Sequence, residues 1–267
     1  MKDPGEEDVN RRYFVDWVTR VAPPGARVLD YGCGAGTLTR MFQDAGLDAY
    51  GCDIRWPGAG YSWDESTAQG KLRYFESGGT LPFDDDFFDV VVSDQVFEHV
   101  EPLHASVAEI ERITKPDGLM YHHFPASEVW REGHIGIPLS HRLPPGRVRL
   151  RYTELLRRLG VGIYKDERPA REWAEEKLRW IDDWTVYRRS IEIHQVFGRH
   201  ADITHREIDY CRFRAGEHGW LRRLLDIPQL VPIAQFAFRR LAFMAIECRP
   251  RIETPSEAAP APRLPVQ

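Results

Sequence analysis

The chain has 267 residues, with 36 Lys/Arg against 41 Asp/Glu and a net charge of -5, which is long enough to bury a full core in one elaborated domain. No run approaches the ~18 apolar residues of a membrane span, and the opening MKDPGEEDVN is polar and acidic, so we expect a cytoplasmic protein with no leader. The four cysteines, Cys33, Cys52, Cys211 and Cys248, are scattered without a C-x-x-C pair, which argues against a zinc or disulfide scaffold and for reduced, buried thiols.

In chain order, residues 8–21 place Tyr13, Phe14, Trp17, Val18 and Val21 at helical spacing behind Asp8 as a cap, and predict an amphipathic lead-in helix. After Pro23-Pro24-Gly25 comes VLDYGCGAG, Val28 to Gly36, a buried strand running straight into a glycine turn. Such a turn lets backbone lie against a nucleotide-like ligand. A dinucleotide fingerprint opening at Gly32 and Gly34 needs its third glycine at position 37, where Thr37 stands, and this weakens an NAD reading. A helix is predicted over about 37–45, then a strand over 48–53 ending on Asp53, where an acid can accept hydrogen bonds from both ribose hydroxyls. A helical or loop segment through 56–69 follows, then strands over 71–76 and 87–93, a helix over 103–114, a turn at Pro116-Asp117-Gly118 and a strand to 124. Alternating strand and helix predicts an α/β fold, a doubly wound, mostly parallel sheet of Rossmann-like kind in residues 1–125.

Beyond Pro125 the pattern changes. Residues 126–146 read as a Gly/Pro-shaped loop, and 153–160 and 170–197 as helices, the second carrying Trp173, Trp180 and Trp184 along one stripe that suits core packing. We read 126–200 as a helical insertion after the fifth strand. Residues 203–213 and 241–248 are expected to return as the last strands within 201–250, and the Pro/Ala-rich residues 251–267 to be disordered. Between those strands, WLRRLLDIPQLVPIAQFAFRR is apolar with arginine pairs; a packed helix and loop is the expectation, with weak contact to a membrane surface as the other reading. Residues 141–250 hold 22 Arg/Lys against 15 Asp/Glu, so this basic half either faces an anionic acceptor or forms a solvated surface.

The spacing D-x-G-x-G-x-G at Asp30, Gly32, Gly34 and Gly36, the acid Asp53 and the stretch LPFDDDFFDVVVSDQVFEHV, Leu81 to Val100, together resemble the class I S-adenosylmethionine-dependent methyltransferases of small-molecule type. The resemblance spans roughly residues 9–125. It implies S-adenosyl-L-methionine as cofactor, held by Asp30, Gly32, Gly34, Gly36 and Asp53, with Glu76, Ser77 and Ser93 nearby. The sequence departs from the family at Ser77, where members often carry an acid for the adenine amino group. The resemblance also implies that the insertion caps the acceptor side.

For a hydroxyl acceptor the enzyme must supply alignment and a base, and histidine titrates near neutrality. His99 lies just after the strand ending at Ser93 and Asp94. His134 and His141 lie in the loop EGHIGIPLSHRLP, which is similar to a loop of bacterial methyltransferases in envelope-polysaccharide clusters. These three are the candidate catalytic residues. A metal set of His122, His123, His134, His141 and Glu132 is set aside, because adjacent histidines on a strand point to opposite faces, and no metal is expected. The expected function is O-methylation of a carbohydrate or other small hydroxylated metabolite. RNA or protein methylation is the alternative, disfavoured because SDQV, Ser93 to Val96, replaces the N/D-P-P-Y/F tetrapeptide of amino-methylating enzymes, and no nucleic acid is expected as partner. A non-catalytic cofactor-binding protein of the same fold is the remaining reading.

Overall fold

The computed structural model describes residues 4–55, 70–216 and 218–251. The expected segment 56–69 and most of the expected tail lie outside the described residues. In order, the elements are α1 (Pro4–Val21), β1 (Arg27–Tyr31), α2 (Thr37–Asp44), β2 (Asp48–Ile54), β3 (Leu72–Phe75), β4 (Phe88–Asp94), α3 (Leu103–Ile113), β5 (Thr114–Phe124), α4 (Arg147–Arg158), α5 (Ala170–Trp184), α6 (Ser190–His200), β6 (Ala201–His205), α7 (Glu207–Ala215), α8 (Gly219–Leu225), α9 (Val231–Leu241) and β7 (Met244–Pro250).

The seven strands form one sheet in the order β3-β2-β1-β4-β5-β7-β6. Neighbours from β3 to β5 pair in parallel, whereas β7 runs antiparallel between β5 and β6. Period-2 alternation sorts side chains to two cores. Val28, Val90, Val92 and Tyr121 pack with Tyr13, Phe14 and Trp17 of α1 and Phe42 of α2; Leu29, Val91 and Met120 pack with Val107, Ile110 and Ile113 of α3 and Phe197 of α6. Helices cover both faces, so a continuous apolar run such as Val90-Val91-Val92 is buried on both sides, as a parallel sheet requires. Each such side chain contributes about 1.5–3 kcal/mol of burial. The insertion has its own small core of Ile135, Ile137, Trp173, Ala174, Leu178 and Ile181.

Four expectations change. The helical stretch 170–197 is two helices, because residues 185–189 leave α5 extended and tie to the turn at 97–100: Val186 N–H donates to Glu98 O at 2.7 Å and Arg188 Nη2 to Val100 O at 2.6 Å. Residues 206–213 are not strand. They fall mainly in α7, whose first turn carries Glu207 and Asp209 and whose last carries Arg212 and Arg214, the charge order that a helix dipole favours. The helix read as 153–160 starts earlier, at Arg147, and ends at Arg158. The turn at Pro116-Asp117-Gly118 is an irregularity within β5, where pairing jumps from Phe88↔Thr114 to Val90↔Leu119.

Candidate functional site

A cleft opens at the carboxyl ends of β1, β2 and β4 and is lined by residues that include Tyr31, Gly32, Asp53, Phe75, Ser77 and His99. Small ligands bind at this edge in open α/β sheets. The glycine turn holds its shape by left-handed backbone: Gly32 has φ 75°, Gly34 φ 52° and Gly36 φ 71°. Gly32 is also sterically required, since a Cβ there lands 2.4 Å from Val96 Cγ2. Asp53 fastens the turn to β2, its Oδ2 accepting from Gly34 N–H at 2.7 Å while Oδ1 accepts from Ile54 N–H at 2.7 Å.

Asp30 sits apart from the cleft lining. It is buried and accepts from Thr39 Oγ1 at 2.9 Å, which ties the strand end to α2. Burial raises its carboxyl to about 7, with Asp94 and Asp53 pushing the same way and the Thr39 hydroxyl opposing. Of the other residues named for the cofactor, Ser77 lines the cleft. Glu76 is exposed at the end of β3, and Ser93 is buried with Oγ 2.9 Å from His122 Nδ1. Gln95, Val96, Val100 and Ser106 also line the cleft and were missed. Gln95 holds φ 57°, a strain a non-glycine residue rarely accepts, and no local sequence signal marks it.

The structure brings His99 and His134 together, their Nε2 atoms 3.3 Å apart. His99 Nδ1 lies 2.6 Å from Trp184 O and His134 Nδ1 lies 2.7 Å from Glu132 Oε1. A carbonyl and a carboxylate only accept, so both Nδ1 atoms carry hydrogen. Trp180 packs against both rings, at 6.0 Å and 5.0 Å between centroids. Burial is the main force that lowers His99 to about 4, so its imidazole is neutral near pH 7. Glu132 is fully buried. Burial pushes its carboxyl up, yet hydrogen bonds from His134, the Tyr187 hydroxyl and the Ile135 N–H outweigh it and hold the group at about 2.

His141 does not join the pair. Its Nε2 lies 3.2 Å from Ser127 O, and its ring packs on Tyr187 with centroids 4.8 Å apart. His122 and His123 are fully buried in the sheet, and burial lowers the former to about 3 and the latter well below the ordinary histidine range. They therefore act as neutral core groups. Trp173 is buried as expected, but Trp180 and Trp184 serve the histidine pair. Tyr187 was missed because nothing in its local sequence links it to Glu132, 55 residues away.

Residues 29–122 match the model of a family described as a methyltransferase domain. An uncharacterized methyltransferase of Mycobacterium tuberculosis is 33% identical over 133 residues, 49% of this chain and 51% of that protein. A demethylmenaquinone methyltransferase of Beutenbergia cavernae is 34% identical over 98 residues, 36% of this chain and 40% of its own length. A ubiquinone biosynthesis O-methyltransferase of Aromatoleum aromaticum is 29% identical over 119 residues, 40% of this chain and 47% of its own length. The chain spans about half the length of the curated relatives it matches. A geranyl diphosphate methyltransferase solved with GPP and sinefungin shares the fold, with a TM-score of 0.50 and 14% identity over 92% of this chain and 79% of that one. Residues 29–122 are thus similar to a methyltransferase domain, a kind of domain whose cofactor is S-adenosylmethionine.

The cleft suits that cofactor. The rings of Tyr31 and Phe75 offer apolar walls for a purine. Asp53 lines the same cleft, where its carboxylate accepts from the backbone N–H of Gly34 and Ile54.

Proposed function

We propose that the protein transfers the methyl group of S-adenosylmethionine to a hydroxyl oxygen of a small metabolite or carbohydrate. The observation that carries the reading is the position of His99, which lines the donor cleft and also faces His134 from the insertion. The bound cofactor supplies a methyl already activated by its sulfonium. Gly32, Gly34 and Gly36 bring main chain to it, Asp53 takes the ribose hydroxyls, and Ser77 or nearby backbone meets the adenine. In the in-line displacement the acceptor oxygen bonds the methyl carbon, the S–C electron pair stays on sulfur, and the hydroxyl proton passes to the histidine pair. Glu132 behind His134 stabilises the charge gained there, the arrangement that makes a His–carboxylate dyad an effective base. His141 takes no part in this step.

A second element of the reading concerns where the acceptor is met. Trp220, Leu224, Ile233, Phe236 and Leu241 on α8 and α9 are 69%, 42%, 65%, 60% and 68% exposed, with Arg222, Arg223 and Arg240 exposed beside them. Among the described residues no helix is long and apolar enough to cross a membrane. An apolar face flanked by arginine suits docking on an anionic lipid surface. Co-sedimentation with vesicles containing phosphatidylglycerol, but not with phosphatidylcholine alone, is the expected result, and the double variant I233D/F236D loses it; equal recovery with both lipids or with the variant refutes the docking.

The methyl-transfer reading is tested by calorimetry with S-adenosylmethionine followed by radiolabelled transfer to hydroxylated metabolites and glycans. Cofactor binding and labelled ether product are expected. Label found instead on RNA or protein overturns the acceptor class, and absence of cofactor binding overturns the activity.

A further inference from the structure

His99 sits on a turn that is weakly supported by its own bonds. Phe97–His99 is a single 3₁₀ turn, closed by His99 N–H to Val96 O at 2.8 Å and Val100 N–H to Phe97 O at 3.4 Å. Such a turn has poorer hydrogen-bond geometry than an α-helix. Yet Val96, His99 and Val100, on the turn and at its two ends, all line the donor cleft. Their orientation must be fixed from another part of the chain.

That part is the strap 184–188, between α5 and α6. His99 Nδ1 donates to Trp184 O at 2.6 Å, and Val186 N–H donates to Glu98 O at 2.7 Å. Arg188 donates twice, Nη1 to Phe97 O at 3.1 Å and Nη2 to Val100 O at 2.6 Å. These two carbonyls bracket His99 in sequence, so one planar guanidinium fixes both ends of the turn that bears it. A lysine ammonium is a point donor on a flexible stem and lacks this fork. Arg188 is itself fastened. Its carbonyl accepts from Ser127 N–H at 2.7 Å, and next to it Ser190 donates through N–H at 3.0 Å and through Oγ at 2.9 Å to Glu128 Oε1. Burial opposes the guanidinium charge, and Glu101 and Glu192 offset part of that cost.

Residues 127–128 lie just past the end of β5, which neighbours β4 in the sheet. The fork therefore joins the turn after β4 to the segment after β5, at the foot of the insertion that brings His134. We propose that Arg188 is a positioning residue for methyl transfer: its guanidinium sets the turn 97–100 so that His99 faces the donor cleft and His134 at once. Arg188 acts through main-chain carbonyls and not on the reacting atoms. Its role in turnover rests on the methyl-transfer reading above, whereas its hold on His99 does not. Reacting atoms must meet at about 3–3.5 Å, and a misplacement of ~1 Å can cost ~10²-fold in rate, so a loosened turn should show in turnover before it shows in the fold.

The experiment uses the full chain labelled with ¹⁵N-histidine and reads the His99 Nδ1–H proton by NMR. A proton held at 2.6 Å from a carbonyl gives a downfield signal, assigned by its loss in His99→Gln. Arg188→Ala is expected to erase or broaden it, Arg188→Lys to do so in part, and millimolar guanidinium to restore it in Arg188→Ala. Thermal melting identifies any variant that fails to fold, and Arg188→Lys serves if the alanine variant does. With the acceptor labelled in the transfer assay above, Arg188→Ala should lower kcat by ~10²-fold with S-adenosylmethionine affinity little changed by calorimetry, and guanidinium should recover turnover. A signal absent from the parent, or unchanged in both Arg188 variants, overturns the proposal, and so does an equal loss of turnover and cofactor affinity. An Arg188-dependent signal in a parent that transfers no methyl group keeps the hold on His99 and overturns the methyl-transfer reading; methyl transfer indifferent to Arg188 does the opposite.

Discussion

The two sides of the cleft are built by opposite means. The donor side, from Gly32 to Asp53, is made of main chain in left-handed conformations, fixed by a single carboxylate that accepts from Gly34 N–H at 2.7 Å. The proposed acceptor side, centred on His99 and His134, is made of side chains, His134 reaching it from a separately packed insertion with its own core. Backbone recognition constrains a ligand that never varies, and it needs glycine at set positions. Side-chain recognition lets the acceptor change while the sheet stays the same, which is why methyl-donor chemistry can be kept while specificity moves.

Substitutions on the two sides should therefore fail differently. His134→Ala is expected to lower turnover by ~10²- to 10⁴-fold, the usual contribution of a positioned acid or base, with S-adenosylmethionine affinity unchanged by calorimetry. A parallel loss of cofactor affinity would mean that the two sides are not independent. Gly32→Ala should do the reverse. The new Cβ meets Val96 Cγ2 at 2.4 Å at a φ of 75°, and the φ penalty alone is about 1–2 kcal/mol, so the dissociation constant for S-adenosylmethionine should rise by ~10-fold or more. Gly34→Ala is the milder control. Its Cβ has nothing within 4 Å, so only the cost of φ 52° applies and the rise should stay near the lower end. Equal effects at the two glycines would argue that the clash with Val96 is relieved by a shift of that side chain.

The same division explains what the sequence discloses. The donor side is legible because its determinants are consecutive: glycines 32, 34 and 36 follow a buried strand, and Asp53 closes the next one. The sheet is legible for the same reason, its strands being apolar runs such as Val90-Val91-Val92 that need no distant partner to be recognised. The acceptor side is assembled over long separations, His99 to His134 across 35 residues and Glu132 to Tyr187 across 55. The three histidines are visible as candidates, yet only folding distinguishes the pair that meets from His141, which turns to Ser127 O. The break between α5 and α6 is hidden likewise, since residues 185–189 leave the helix to bind the turn at 97–100. Interactions made with another part of the chain overrule the helical spacing.

Titration separates the two sides once more, with opposite signs and with the smallest of these effects. Asp30, on the donor side, is raised from 3.8 to about 7 by burial, with nearby Asp94 and Asp53 adding to it. The unfolded chain releases that proton first, so its contribution to stability is full below about 3.8 and is lost as pH rises through about 7. His99, on the acceptor side, is lowered from 6.5 to about 4, chiefly by burial. Here the unfolded chain takes up the proton first, and stability is lost as pH falls from about 6.5 through about 4. His122, lowered to about 3 by burial, extends the acid limb. The two windows overlap, so their opposite slopes offset one another between about pH 4 and 6.5, and only the difference between each variant's melting profile and the parent's separates them. Relative to the parent, Asp30→Asn should make stability rise more steeply with pH between about 4 and 7, and His99→Gln should make it rise less steeply between about 4 and 6.5. If the double variant's profile is not the sum of the two single changes, Asp30 and His99 are electrostatically coupled across the cleft.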